Sequence, residues 1–205
     1  MSEPKLFHGE DFISAARAND IHALASTFRA SGIWEEVVPG LADLTVKYDP
    51  LSLTIDQAGA HFRRLWNAGS EDNVVVAPPA TLTARVDEAL DLASVTDTLG
   101  LAKNEWPNWF AARKYRVAIM GFQPGLAYLE DLDGKSVPAL PRLDTPRQNV
   151  PAGSIGFLGK RVCVYPFDGP GGWPIVGRVS EPLFRRDHSE PFLLQPGQMV
   201  RFAIG

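Results

Sequence analysis

GFQPGLAYL (Gly121–Leu129), PRLDTPRQNVPAGSIGFLG (Pro141–Gly159) and YPFDGPGGWPIVGR (Tyr165–Arg178) are the three blocks on which the fold of this chain turns. Ten of its 18 glycines and eight of its 17 prolines lie between Gly121 and Gly177. Glycine supplies backbone conformations closed to other residues, and proline fixes φ and removes a donor. Between short apolar runs, so many of both specify individually shaped loops on a β framework, where recognition and chemistry concentrate. The competing reading is that each one merely turns a barrel corner. That accounts for single residues but not for three ordered blocks.

Working outward, the strand signals continue on both sides. Thr81–Val86, Tyr115–Met120, Ser154–Leu158, Arg161–Tyr165, Ile175–Val179 and Met199–Ile204 are short apolar strands at close intervals. Such spacing predicts a closed or nearly closed β-barrel, and closure removes exposed edges. Two helices interrupt it. One is Asp91–Leu99, with Leu92, Val95 and Leu99 inward and Gly100 beyond it. The other is Asn104–Ala112, expected to break at Pro107. Trp106 and Trp109 beside that proline either form an apolar contact surface or close the barrel's end.

Upstream, strand and helix patterns alternate. Asp20–Ala30 puts Ile21, Leu24 and Phe28 on one helical face, with Asn19 or Asp20 as N-cap. Trp34–Val38 and Ala42–Tyr48 are strands joined by Pro39-Gly40. Thr54 with Gln57 reads as a capping box, followed by the stripe Ile55, Ala58, Phe62, Leu65, Trp66 and a stop at Gly69. Val74–Val76 is a short strand running into Pro78-Pro79, the expected connection between domains. The fold class is therefore α+β: a small two-layer α/β sandwich over residues 1–79, then a β-barrel over 80–205.

Bulk composition sets limits on function. The chain has 205 residues, 45% hydrophobic and 21% charged, with net charge −4; mean hydropathy is −0.08 and the isoelectric point about 5.6. Acidic balance argues against a nucleic-acid partner, which needs clustered Lys and Arg. No apolar run approaches the roughly 20 residues of a membrane span. The start, MSEPKLFHGEDF, lacks a basic head and an apolar run, and the chain has a single cysteine, Cys163. A cytoplasmic location is expected. Cys163 alternates with Val162 and Val164 and reads as a strand residue; the four His show no metal-ligand spacing, so no metal site is expected.

No catalytic pattern declares itself: there is no GxSxG elbow, P-loop, HExxH or dinucleotide fingerprint. What stands out is a set of arginines behind a proline or glycine: Pro141-Arg142, Pro146-Arg147 and Gly177-Arg178. Tyr128, Tyr165 and Trp173 accompany them. A guanidinium is a planar fork of donors that pairs bidentately with carboxylate or phosphate. This chemistry suits a carboxylate, a carbamoyl group or a phosphorylated intermediate held at the barrel's mouth. The alternative is that the arginines tie loops to Asp131, Asp133, Asp144 or Asp168. Gly171-Gly172 permits close approach to the backbone before Trp173, which acts as a lid, an interface anchor or core. Pro151–Gly153 with Ser154 forms a turn whose amides can cradle an anion; Ser154 has no visible base partner and is not read as a nucleophile. Candidate ligand-binding residues are thus Arg142, Arg147, Tyr128, Gly153, Ser154, Gly171, Gly172, Trp173 and Arg178, with Gly121, Phe122, Pro124 and Gly125 forming a loop beside them.

At these residues the chain resembles the KipI/PxpB family, also described as the B component of 5-oxoprolinase, as allophanate hydrolase subunit 1, or as carboxyltransferase domain, subdomain C/D. The family pattern GF.PG..YL, PR...PR..VPAGS.G and YP...PGGW..IGR is matched by Gly121–Leu129, Pro141–Gly156 and Tyr165–Arg178. Val37–Pro50 resembles an earlier signature, Asp91–Leu101 the helical insert, and Gln195–Phe202 the closing PG..V.F. The resemblance implies a cyclophilin-like barrel. It also implies a smaller subunit working with a larger KipA/PxpC-like partner, and with a third, metal-binding PxpA-like partner in ATP-dependent 5-oxoprolinase. Relatives fused into urea carboxylase transfer a carboxyl group. ATP is the implied co-substrate, bound by the complex. One relative instead binds and inhibits a histidine kinase, so a non-enzymatic regulator is the alternative; a prolyl isomerase, implied by fold alone, ranks last. The chain departs from the pattern at Gly9-Glu10, where the opening strand is shortened, and at Val75–Pro79, which replaces the usual PV-Tyr strand. Trp109-Phe110 stands where most relatives carry a His.

Overall fold

The structure, a computed structural model, describes residues 4–16, 21–69, 77–133, 137–138 and 140–205. Contacts divide the chain into two compact units, Met1–Val76 and Ala77–Gly205. The expected strand Val74–Val76 and the expected N-cap at Asn19 or Asp20 lie outside the described residues.

In the first unit four strands, β1 (Phe7–His8), β2 (Phe12–Ala16), β3 (Glu36–Pro39) and β4 (Asp43–Lys47), form an antiparallel sheet in the order β1-β2-β4-β3. Alternation aims Ile13 and Ala15 of β2 and Leu44 and Val46 of β4 at the same face. That face is covered by α1 (Ile21–Ala30), through Leu24, Ala25 and Phe28, and by α2 (Ile55–Ala68), through Ala58, Phe62 and Trp66. The Phe28 and Phe62 rings meet edge to face at 4.9 Å. The capping box at the start of α2 is formed: Gln57 N–H donates to Thr54 Oγ1 at 3.3 Å and Thr54 N–H to Gln57 Oε1 at 2.9 Å. The apolar stripe is narrower than its sequence implies. Ile55, at the first helical position, is 45% exposed.

In the second unit seven strands close a barrel. They are β5 (Ala80–Arg85), β6 (Tyr115–Met120), β7 (Ala127–Asp131), β9 (Ser154–Phe157), β10 (Arg161–Val164), β12 (Ile175–Val179) and β13 (Met199–Ile204), in the order β10-β7-β6-β13-β5-β12-β9. Every pairing is antiparallel except β13 with β5. The remaining strands, β8 (Arg147–Val150) and β11 (Gly169–Gly171), form a separate two-stranded ribbon. A 3₁₀ turn, Val86–Glu88, and helix α3 (Leu92–Leu99) follow β5.

Helix α4 (Trp106–Ala111) follows α3. Pro107 does not interrupt it. The proline lies in the first turn, where its missing N–H breaks no helical bond. Trp106 and Phe110 are fully buried, and their rings pack against Phe157 of β9 and Phe202 of β13 at 5.2 and 4.7 Å. The tryptophan pair is therefore part of the barrel core and not a free contact surface. Half-buried Trp109 carries the Arg113 guanidinium over its ring at 4.2 Å, and Arg113 pairs with Asp131 out of solvent.

A second, smaller cluster lies on the outside of the barrel. Leu126, Val150, Cys163, Tyr165, Trp173 and Ile175 pack together between the wall and the β8–β11 ribbon. Burial pushes the Cys163 thiol up to about 12, with hydrogen bonding from Tyr165 and the Gly156 backbone and the Arg142 charge opposing the shift.

Three outcomes follow for stability. Phe110→Ala leaves a cavity among the rings of Trp106, Tyr115, Phe157 and Phe202 and is expected to cost about 3–5 kcal/mol in urea unfolding. Leu51→Ser, at a 96% exposed position, is expected to change stability by less than about 0.5 kcal/mol. Cys163 is expected to resist iodoacetamide at pH 8 in the native protein and to react once the chain is denatured. The unfolded thiol ionises near 9.0 and the folded one near 12, so the unfolded state binds fewer protons between them. Stability is therefore lost as pH rises through that window, and Cys163→Ala removes this part of the slope.

Candidate functional site

Side-chain alternation builds the site on the barrel's outer wall and not at its mouth. In β7, Ala127 and Leu129 point into the barrel core while Tyr128 points out; in β10, Val162 and Val164 point in while Cys163 points out. Tyr128 and Cys163 are direct cross-strand partners, and Cys163 also faces Gly156 of β9. The absence of a side chain at Gly156 is required. A Cβ there would stand 2.7 Å from Cys163 Sγ and 2.9 Å from the Trp173 Cβ. Tyr165, just after β10, lies along this strip. Its hydroxyl oxygen would be 2.7 Å from a Cβ at Gly171, so the ribbon closes over the phenol only because residue 171 is glycine.

Between wall and ribbon remains a cavity of about 310 Å³. Tyr128, Arg142, Tyr165, Gly171, Gly172 and Trp173 line it, with Phe122 at one side. Tyr128 and Trp173 meet at 5.7 Å. Burial pushes both phenols up. The Cys163 thiol adds to the shift of each, and the Arg142 charge draws Tyr128 partly back. At neutral pH they are therefore uncharged; the Tyr165 hydroxyl is already hydrogen-bonded to Cys163, which leaves the Tyr128 O–H as the phenol donor available to the cavity. Arg142 is exposed on the cavity rim and, among the described residues, pairs with no carboxylate. Its loop is anchored all the same, because Leu143 N–H donates to the Gly172 carbonyl at 2.8 Å.

The other two arginines are already committed. Arg147 makes a bidentate pair with Asp91, at 2.9 and 2.7 Å. The same carboxylate accepts Ile175 N–H at 2.7 Å, and Asp91 N–H donates to Ile175 O at 2.9 Å. One side chain thus ties the start of α3 to the β8 end of the ribbon and to the segment leaving Trp173. Arg178 donates to the Ala152 carbonyl at 2.6 Å and pairs with Glu88 at 3.1 Å. None of the four aspartates considered from sequence is the partner of either arginine.

The Pro151–Ser154 turn has its amides occupied as well. Ala152 N–H donates to Asp168 Oδ1 at 2.7 Å, Gly153 N–H to Tyr165 O at 2.7 Å, and Ser154 N–H to Pro151 O at 3.1 Å. The anion held there is the protein's own Asp168. Gly153 has φ 81 and sits where a Cβ would be 2.5 Å from Val179 O, so it shapes the turn. Ser154 is 2% exposed within β9.

The structure therefore brings Tyr128, Arg142, Gly171, Gly172 and Trp173 to one cavity and places Arg147, Gly153, Ser154 and Arg178 in the frame around it. Phe122 lines this cavity and also a neighbouring one, with Gly121, Pro124 and Gly125 on the latter. Asp91 went unrecognised as a partner from sequence. Its only local signal was its place before α3.

Comparison with known proteins identifies the family of the chain. Residues 5–194 match the family model described as carboxyltransferase domain, subdomain C and D. The B component of the 5-oxoprolinase of Escherichia coli O157:H7 is 36% identical over 172 residues, covering 82% of this chain and 76% of that protein. A crystal structure of TTHA0988 superposes with a TM-score of 0.79 at 26% identity, covering 95% of this chain and 40% of that one. The K. lactis urea amidolyase shares the fold, with a TM-score of 0.77 at 17% identity over 99% of this chain and 15% of its own. This chain thus spans well under half of either solved structure. A family match across nearly its whole length shows that the chain belongs to the carboxyltransferase domain, subdomain C and D, family and is of the KipI/PxpB kind.

Proposed function

We propose that this chain is the smaller subunit of an ATP-dependent amide or lactam hydrolase of the 5-oxoprolinase or allophanate hydrolase type, or of a related carboxyltransferase. It works in the cytoplasm with a larger KipA/PxpC-like subunit, and in the 5-oxoprolinase case with a PxpA-like third component. Its barrel is then the cyclophilin-like one the family resemblance implies. The observation that carries the reading is the Arg142 guanidinium, unpaired among the described residues, beside the neutral Tyr128 phenol and the Gly171-Gly172 backbone in one cavity.

A guanidinium fork fixes a carboxylate by two parallel hydrogen bonds, and phenol O–H groups stabilise negative charge growing on a nearby carbonyl oxygen. The substrate suited to this cavity is small, carries one anionic group and presents a polarised C–N–O unit. One guanidinium is too little for a triphosphate, whose sites combine a lysine, metal ions and backbone donors. ATP is therefore assigned to the assembled complex and not to this cavity. The described residues around the cavity hold no complete set of acid, base and nucleophile, which fits a protein that positions a substrate for chemistry completed by a partner.

The test is co-expression with a larger KipA/PxpC-like homologue, followed by assays of ATP hydrolysis dependent on 5-oxoproline, allophanate or urea. Arg142→Ala is expected to lower kcat/KM about 100-fold with assembly and melting temperature unchanged, and Arg142→Lys to recover part of the loss. Arg147→Ala is expected to act differently, lowering stability by about 1–3 kcal/mol because Asp91 loses its bidentate partner. Wild-type kinetics in an assembled Arg142→Ala complex would refute the assignment.

A further inference from the structure

We propose that Gly172 sets the specificity of the Arg142 cavity: the ligand lies directly against its backbone and accepts a hydrogen bond from its N–H. This inference rests on reading that cavity as the substrate site.

The neighbouring glycines answer to the fold itself. Gly153 has positive φ, and a Cβ at Gly156 would stand 2.7 Å from Cys163 Sγ. A Cβ at Gly171 would stand 2.7 Å from the Tyr165 hydroxyl oxygen and 2.8 Å from Val150 Cγ2. Gly172 meets none of these demands. Its φ lies outside the positive range, and a Cβ there would find only Pro146, at 3.6 and 3.7 Å, which is ordinary van der Waals contact. Alanine would fit, and it loses less conformational entropy on folding than glycine does. The chain therefore bears at residue 172 a cost that no internal contact requires.

The backbone at this residue is also only half engaged. Gly172 O accepts Leu143 N–H at 2.8 Å, which fastens the segment to the loop that carries Arg142. Gly172 N–H donates to no acceptor among the described residues. An unpaired backbone N–H on a fastened segment is the kind of donor that stabilises charge growing on a carbonyl oxygen.

Gly172, Arg142, Tyr128 and Pro146 line one cavity of about 310 Å³. A methyl group at 172 would stand beside Pro146 and take space from the ligand. The ligand class is accordingly a small carboxylate with a planar amide or carbamoyl group, its carboxylate on Arg142 and its carbonyl oxygen toward Gly172 N–H. A tetrahedral centre in place of the planar group would hold its substituents off the backbone and supply no acceptor.

The probe is L-5-oxoproline, titrated into the full chain and followed by ¹H–¹⁵N NMR beside cyclopentanecarboxylate, which keeps the ring and carboxylate but lacks the planar amide. L-5-oxoproline is expected to bind saturably and to move the Gly172 amide proton downfield, with cyclopentanecarboxylate about tenfold weaker. Gly172→Ala should keep or raise the melting temperature and weaken L-5-oxoproline about tenfold. Gly171→Ala, by contrast, should lower the melting temperature. No saturable binding to the native chain up to about 10 mM, an unmoved Gly172 amide at saturation, equal affinity of the two probes, or native affinity in Gly172→Ala would each overturn the proposal. Native affinity in Arg142→Ala, with Gly172→Ala weakened, would instead overturn the role of Arg142 and uphold that of Gly172.

Discussion

The carboxylate of Asp91 is the fastening on which the site depends. Its two oxygens accept both Arg147 nitrogens and the Ile175 amide, and its own amide binds Ile175 O. These bonds cross 56 and 84 residues of sequence. They hold the β8–β11 ribbon against the barrel wall while leaving a gap between. A two-stranded ribbon by itself is marginal in water, and this one is held by the Asp91 bonds together with the packing of Val150 against Leu126, Cys163 and Ile175. With only 12% of the Asp91 side chain exposed, the charge-assisted bonds form where water competes weakly.

The gap under the ribbon and the cavity beyond Phe122 share that residue, and of their linings only the first includes a charged side chain, Arg142. Their common boundary is a residue held in a backbone conformation that phenylalanine avoids. A loop with glycine at both ends, Gly121 and Gly125, is what makes this conformation attainable between two such different spaces.

Much of this was legible in the chain. Short apolar runs located six of the seven barrel strands to within a residue or two and the Thr54–Gln57 pair located the start of α2, but β7 (Ala127–Asp131) went unread because it follows the GFQPG loop directly. Arginine roles were not legible. Arg142 and Arg147 both follow a proline and lie five residues apart, yet one faces the cavity rim and the other is clamped by Asp91. Nothing adjacent to either distinguishes them. The anion-cradling turn at Pro151–Ser154 was recognised as a turn, but its anion proved to be Asp168 of the same chain.

Sequence alone determined where backbone conformations change: which runs extend, which helices start and stop, and where glycine must stand because a strand or ring passes close by. These are short-range matters of sterics, hydrogen bonding and side-chain period. Only the tertiary structure decided which charges are consumed inside the fold and which remain for a ligand, and which face of each strand looks into the barrel or out to the ribbon. Pairing between charges depends on distances across the closed barrel, and closure brings together residues that no local pattern connects.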